Sequence, residues 1–347
     1  MVNYKALQSS LLYDPPYKIV NWVAVAGHAA ASSIFLYLYE FSGDRENLEI
    51  PYTESYLKWL RIKNQTYGDV TLSNLTQCTK LNPPGRPLTT MNDNDYCVRA
   101  ETVGVGYGLD LGWLIISFHL LSFFFQALAG ATDWCENGLP LEWLGFNNYK
   151  YSTMIEDEGK NPLRFIEYSV SASIMLMCIA FLNGVTDINL IASIAVLTAC
   201  CQLCGLVVEY LEDITLQWTL HFTGWIQFLC AYGIIVHAFL KSISANAEGE
   251  GDYRPVRPPP FVYAIVITLF LLYASFGIVQ FSELCCKTKK FLCIPNACCD
   301  KCPGYCRQNG KISNKYKEIL YVSLSLGAKL VLGMLIFTNV LFSTGGV

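Results

Sequence analysis

Glu318-Ile-Leu-Tyr-Val-Ser-Leu-Ser-Leu-Gly-Ala-Lys329 leads into the last apolar run of this 347-residue chain, Leu320 to Ser343, in which Lys329 is the one charged residue. A bilayer core about 30 Å thick is crossed by about 20 apolar helical residues, so the run predicts a membrane span. At about 1.5 Å per residue, Lys329 lies about 18 Å from Lys317 and about 21 Å from Ser343, too deep for its side chain to reach either surface. A cation at that depth costs on the order of 2.5 to 3.5 kcal/mol, which marks it as a functional group.

Working outward from this helix, six further runs have the same character: Asn21 to Phe41, Val105 to Thr132, Phe165 to Leu182, Ile188 to Val208, Ile214 to Phe239 and Phe261 to Phe281. The composition agrees, with 53% apolar and 15% charged residues against the roughly 25% charged fraction of soluble domains. A disordered chain is excluded, and the composition disfavours an ordinary soluble enzyme. The expectation is an all-α membrane protein, a seven-transmembrane-helix bundle forming a single domain over residues 1–347, with a long loop 42–99 and a Cys/Lys-rich loop 285–317. The first twenty residues are polar and carry Pro15 and Pro16, so the first run reads as a permanent span and not a cleaved signal.

The other 23 Lys and Arg residues predict an orientation. Lys5, Lys18, Lys150, Lys160, Arg164 and eight lysines and arginines between Lys287 and Lys317 fall on one side; Lys241, Arg254 and Arg257 fall in the short loops opposite. This bias places the N-terminus in the cytoplasm and, after seven spans, the C-terminus outside. The loop Ser42 to Arg99 holds both Asn-x-Thr sequons, at Asn64 and Asn74, and the cysteines Cys78 and Cys97, which suits an outer, oxidising face. Seven cysteines crowd the inner loop from Cys285 to Cys306. Zinc binding, acylation at Cys285 and Cys286, and no specific role all remain open there, and no metal site is assigned.

Two readings of Lys329 follow from its chemistry: an ion-paired lysine in the polar cavity of a receptor or transporter, or an amine condensed with an aldehyde as a Schiff base. If that Schiff base is protonated, it needs a carboxylate. Glu167 is the one acid well inside the third run, although Arg164, three residues earlier, offers it an alternative partner. Glu318, Ser325 and Lys329 are spaced by seven and four residues, so they share a helical face and draw a polar line from the cytoplasmic mouth to the lysine. Glu209, Glu212, Asp213 and Glu283 lie near helix ends, where charges are usually solvated.

The run from Glu318 to Lys329 resembles the retinal-binding helix of heliorhodopsins, Glu-x-x-Tyr-Ile-x-Leu-Ser-Leu-x-Ala-Lys. Arg164-Phe-Ile-Glu-Tyr-Ser-Val-Ser-Ala-Ser-Ile-Met175 is similar to the third helix of the same family. The resemblance implies all-trans retinal on Lys329, Glu167 as counterion, Ser325 as a second neighbour, and a cytoplasmic N-terminus, which the charge count reaches independently. It also implies that His28 and His119 help hold an internal polar network, while Glu318, from its place on the last helix alone, either takes part in proton movement or favours the helix N-terminus through its dipole. A polyene pocket must be apolar and aromatic, and Trp218, Phe222, Trp225, Tyr273 and Phe276 are its candidate walls. Met334 stands five residues after the lysine, where the family usually has tryptophan, and is expected to line the polyene. The implied function is a light-sensing photoreceptor rather than an enzyme, embedded in a lipid bilayer, homodimeric, with a cytoplasmic signalling partner. Light-driven passive proton transport is the main variant, a retinal-independent receptor or transporter the second, and nothing points to nucleic acid.

Overall fold

The computed structural model describes residues 16–41, 49–61, 96–248, 260–288 and 314–337. Seven helices in it are long and apolar enough to cross a membrane: α1 (Tyr17–Phe41), α2 (Leu111–Thr132), α3 (Pro162–Leu182), α4 (Ile188–Tyr210), α5 (Ile214–Glu248), α6 (Pro260–Thr288) and α7 (Asn314–Ile336). Each packs on its neighbours in chain order and α7 closes back on α1, so the helices form a ring. Of the central stretch of α3, 67% is buried, against 22–44% in the other six helices, which makes α3 the inner helix of the bundle.

The starts of these helices are chemically marked. The Asp110 carboxylate accepts from the backbone N–H of Gly112 and Trp113, Asp187 caps α4 through Asn189 and Leu190, and Asp213 accepts from Thr215 and Leu216 at the head of α5. At α3 the Asn161 side chain accepts from the Arg164 N–H and Pro162 fills the first turn, where its missing N–H costs nothing.

The second span begins at Leu111, not Val105. Residues Val103 to Leu109 alternate large side chains with Gly104, Gly106 and Gly108, a period-two pattern, and they belong to strand β2 (Tyr96–Asp110). β2 pairs antiparallel with β1 (Glu49–Arg61), so the described parts of the long first loop form a hairpin. The Thr53 N–H donates to the Thr186 carbonyl, tying that hairpin to the α3–α4 turn. At the opposite end, β3 (Leu139–Leu141) and β4 (Phe146–Tyr149) form a small hairpin between α2 and α3, followed by a short helical segment from Tyr151. The sequons at Asn64 and Asn74, Cys78 and the cysteines from Cys293 to Cys306 lie outside the described residues.

Candidate functional site

The α3–α7 register brings Lys329 and Glu167 together in the middle of the bundle, at 3% and 2% exposure. The Lys329 ammonium donates to Glu167 Oε1 at 2.6 Å, to Ser122 Oγ at 2.5 Å and to Ser325 Oγ at 3.0 Å. Its three protons therefore meet three acceptors, the condition under which a buried charge is tolerated. Ser122 also lies 2.6 Å from Glu167 Oε1 and 2.9 Å from the Phe118 carbonyl; its single proton serves one of these while its oxygen accepts from the lysine. Ser325 sits one turn before Lys329 on the same face of α7.

Glu167 is not the partner of Arg164. The guanidinium turns toward the β3–β4 end of the bundle, where its Nη2 donates to Glu209 Oε1 at 2.6 Å and its Nη1 bonds Glu318 Oε2. Glu318 further accepts from the Asn161 amide at 2.8 Å and the Tyr151 hydroxyl at 3.0 Å. Burial pushes the Tyr151 phenol well above its usual value and the Glu318 charge adds to the effect, so it stays protonated and donates. Lys317, 3% exposed, completes the group by reaching Glu209 at 3.1 Å, Glu283 at 3.2 Å and the Gly159 carbonyl at 2.8 Å. Gly159 has φ +69°, a conformation that favours glycine, and a Cβ there would lie 2.7 Å from the Asn314 side chain. With Lys287 on Glu283 at 2.9 Å, three cations balance three carboxylates. Glu209 and Glu283 are thus internal ion-pair members, not solvated helix ends, because α3 brings Arg164 to Glu209 and α7 brings Lys317 to both carboxylates.

His28 and His119 face each other with 3.0 Å between their Nδ1 atoms, both fully buried, so one Nδ1 carries a proton and the other accepts it. Each Nε2 lacks a hydrogen-bond partner among the described residues.

From Lys329 two adjoining cavities run toward α4, α5 and α6. The nearer is lined by Tyr168, Ser171, Ala172, Met175, Gln202, Tyr273, Phe276, Ser325 and Lys329; the farther shares Gln202, Tyr273 and Phe276 and adds Trp225, Phe228 and His221. Both are narrow, and aromatic side chains from α5 and α6 form much of their walls. The Ser171 hydroxyl, buried in the wall of the nearer cavity, has no partner among the described residues. An elongated, aromatic-walled space starting at a buried amine fits a polyene aldehyde in shape and chemistry.

The expected walls divide. Trp225, Tyr273 and Phe276 line these cavities; Trp218, Phe222 and Met334 do not. Trp218 lies toward the β3–β4 end, its indole N–H donating to Thr288 at 2.9 Å and its ring stacked on Phe222, which is 54% exposed. Met334 is 61% exposed on the outer face of the bundle. Five residues on from Lys329 is a rotation of roughly 140° around the helix, so a side chain there cannot share the lysine's face. Sequence reasoning missed Ser122, although it lies one turn after His119 on the same face of α2, and it missed Ser171 and Gln202, which only helix packing brings to the cavity.

A ring of seven membrane-length helices around a buried lysine–carboxylate pair, with an aromatic cavity opening from the amine, defines a multi-pass membrane protein of the rhodopsin class. The sequence profile of the heliorhodopsins matches residues 105–288, more than half of the chain, and the chain belongs to the heliorhodopsin family. Among curated proteins no sequence matches it.

Proposed function

We propose that the protein is a retinal photoreceptor in which all-trans retinal is carried on Lys329 and Glu167 is the counterion. The observation that carries this reading is the bond between the Lys329 ammonium and Glu167 at the head of the cavity. Retinal, when bound as a Schiff base, supplies light absorption and a nitrogen whose proton affinity changes on isomerisation. The chain's residues do the rest. Glu167 holds the positive charge at the nitrogen, and Ser122 and Ser325 fix its direction. Tyr273 and Phe276 confine the chain of the chromophore, and the buried walls exclude water from it. His28 and His119 supply a proton-accepting pair between α1 and α2. A sensory role fits the large Cys/Lys-rich inner loop, and the N-terminus is assigned to the cytoplasm on the distribution of Lys and Arg. A homodimer follows from family likeness alone.

Light-driven passive proton movement is the second reading, favoured by the small polar cavity that touches both Glu167 and Glu318. Expression with all-trans retinal, an absorption spectrum and hydroxylamine bleaching test the assignment. Visible colour that hydroxylamine removes is expected, and a coloured Lys329→Ala protein would refute it. Light-triggered currents under voltage clamp separate the two readings; a normal photocycle with no current at any voltage leaves the sensory one.

A further inference from the structure

The polar line along α7 points from Lys329 to Glu318, but it does not lead out of the protein. At that mouth Arg164 and Lys317 bind Glu318, Glu209 and Glu283, all within the bundle, and Lys317 also bonds the Gly159 carbonyl. Another passage leaves the same point sideways. An inner cavity, with about 20 Å³ for water centres, touches Glu167, Arg164 and Glu318 and extends to Gln126 and Asn21. That is room for about one or two waters. Two of its polar atoms have no partner among the described residues, Gln126 Oε1 and Arg164 Nε, on side chains whose residues are 8% and 6% exposed. Buried polar atoms left in this way are the sites that internal water satisfies.

Asn21 lines a second, larger cavity as well, with about 250 Å³ by the same measure, between α1, α2 and the segment that starts at Tyr151. Asn21 is 2% exposed, donates to the Gln126 carbonyl at 3.0 Å and lines both spaces, so its amide stands between them. The outer cavity is rimmed by the Lys18–Asp133 ion pair at 3.2 Å, where Lys18 is half exposed, and by Trp22 stacked on Trp134 at 5.0 Å with their planes 6° apart. Gly130 lies beside that amide: a Cβ there would come within 2.8 Å of the Trp22 ring and 3.2 Å of the Asn21 amide.

We propose that Glu167 exchanges protons with bulk solvent through the Asn21 neck, and that the Trp22–Trp134 stack is the gate over its outer mouth. A proton taken by the Glu167 carboxylate from the Lys329 nitrogen passes to water in the inner cavity, leaving carboxylate and hydronium. The hydronium charge crosses at Asn21 to water in the outer cavity and so to bulk, and reprotonation runs the same route backward. The six-member ion group, whose carboxylates and cations pair with one another, closes the α7 line, so exchange is confined to the α1–α2 side.

The inference rests on retinal being carried on Lys329, and the test separates the two. In the retinal-loaded protein, dark exchange of the nitrogen proton is followed after mixing into D2O by the isotope shift of the C=N vibration. Gly130→Ala and Asn21→Leu are expected to slow exchange by about tenfold, equivalent to about 1.4 kcal/mol on the barrier, with the absorption maximum unchanged. Trp134→Ala, at a position 75% exposed and so tolerant of change, is expected to speed it. Tyr39→Phe, at the β1–β2 end where Tyr39 bonds Asp110, is expected to leave the rate as in the wild type. Coloured Gly130→Ala and Trp134→Ala proteins with wild-type exchange would overturn the route, as would slowing by Tyr39→Phe equal to that of Gly130→Ala. A wild-type protein that takes up no retinal overturns the chromophore assignment instead.

Discussion

The bundle buries charge twice, in different ways. At its centre one cation meets one carboxylate, with two serine hydroxyls completing the shell of Lys329. Toward the β3–β4 end, Arg164, Lys317 and Lys287 interlock with Glu209, Glu283 and Glu318, and Asn161, Tyr151 and the Gly159 carbonyl fill the remaining sites. The second group is redundant: Glu209, Glu283 and Lys317 each have more than one charged partner. The first has no spare member, and it borders two sets of cavities, the aromatic one and the polar one. Redundancy suits a group that holds α3, α4, α6 and α7 in register, whereas an unduplicated pair beside open space suits a group whose charge must move.

The hardest way to break the comparison is to remove a central member. Lys329→Ala is expected to abolish visible absorption after retinal addition, because no other described amine opens onto the aromatic cavity. Next comes Arg164→Gln, which leaves Glu209 and Glu318 buried together without their shared cation. Breaking such a pair costs about 3 to 5 kcal/mol, read as a lower unfolding temperature in detergent or a lost folded yield. Glu167→Gln sharpens the contrast. The amide keeps the shape of the carboxyl and can still accept from Ser122, so the protein is expected to fold. Its pigment is expected to absorb further to the red or to lose its nitrogen proton at lower pH, since the neutralising charge has gone. If Arg164→Gln shifted the spectrum as much as Glu167→Gln and left stability untouched, the division between the two groups would fail.

The two groups were unequally legible in the sequence. Lys329 declares itself because a single charge in a 24-residue apolar run must be paired or chemically used, and Ser325 follows from it by helical spacing. The seven spans were readable for the same reason, apolar length, although that signal could not separate the glycine-alternating strand before Leu111 from the helix after it. The ion group was hidden. Arg164 and Glu167 share a helical face, so local spacing pairs them, yet the partner of Arg164 is decided by where α4 and α7 cross α3, which no local pattern carries. Glu209 and Glu283 look like ordinary helix ends until the fold brings Arg164 and Lys317 to them.

The smallest effect expected belongs to Met334, and it tests the boundary of the central region. Read from its distance in sequence to the lysine, the position belongs to the polyene wall, and a bulky ring there would retune the colour. The helix places it on the opposite side, 61% exposed, while Gly333 beside it packs on Phe35 and Ile115 inside the bundle. Met334→Trp is therefore expected to leave the absorption maximum where it is and to alter stability by less than about 0.5 kcal/mol, as surface changes generally do. An apolar surround accepts an indole as readily as a thioether. A spectral shift in that variant would mean that α7 turns on its axis when retinal binds. Ser325, on the lysine's own face, would then rotate with it, and Ser325→Ala would change the spectrum by a different amount from that expected of a hydroxyl 3.0 Å from the nitrogen.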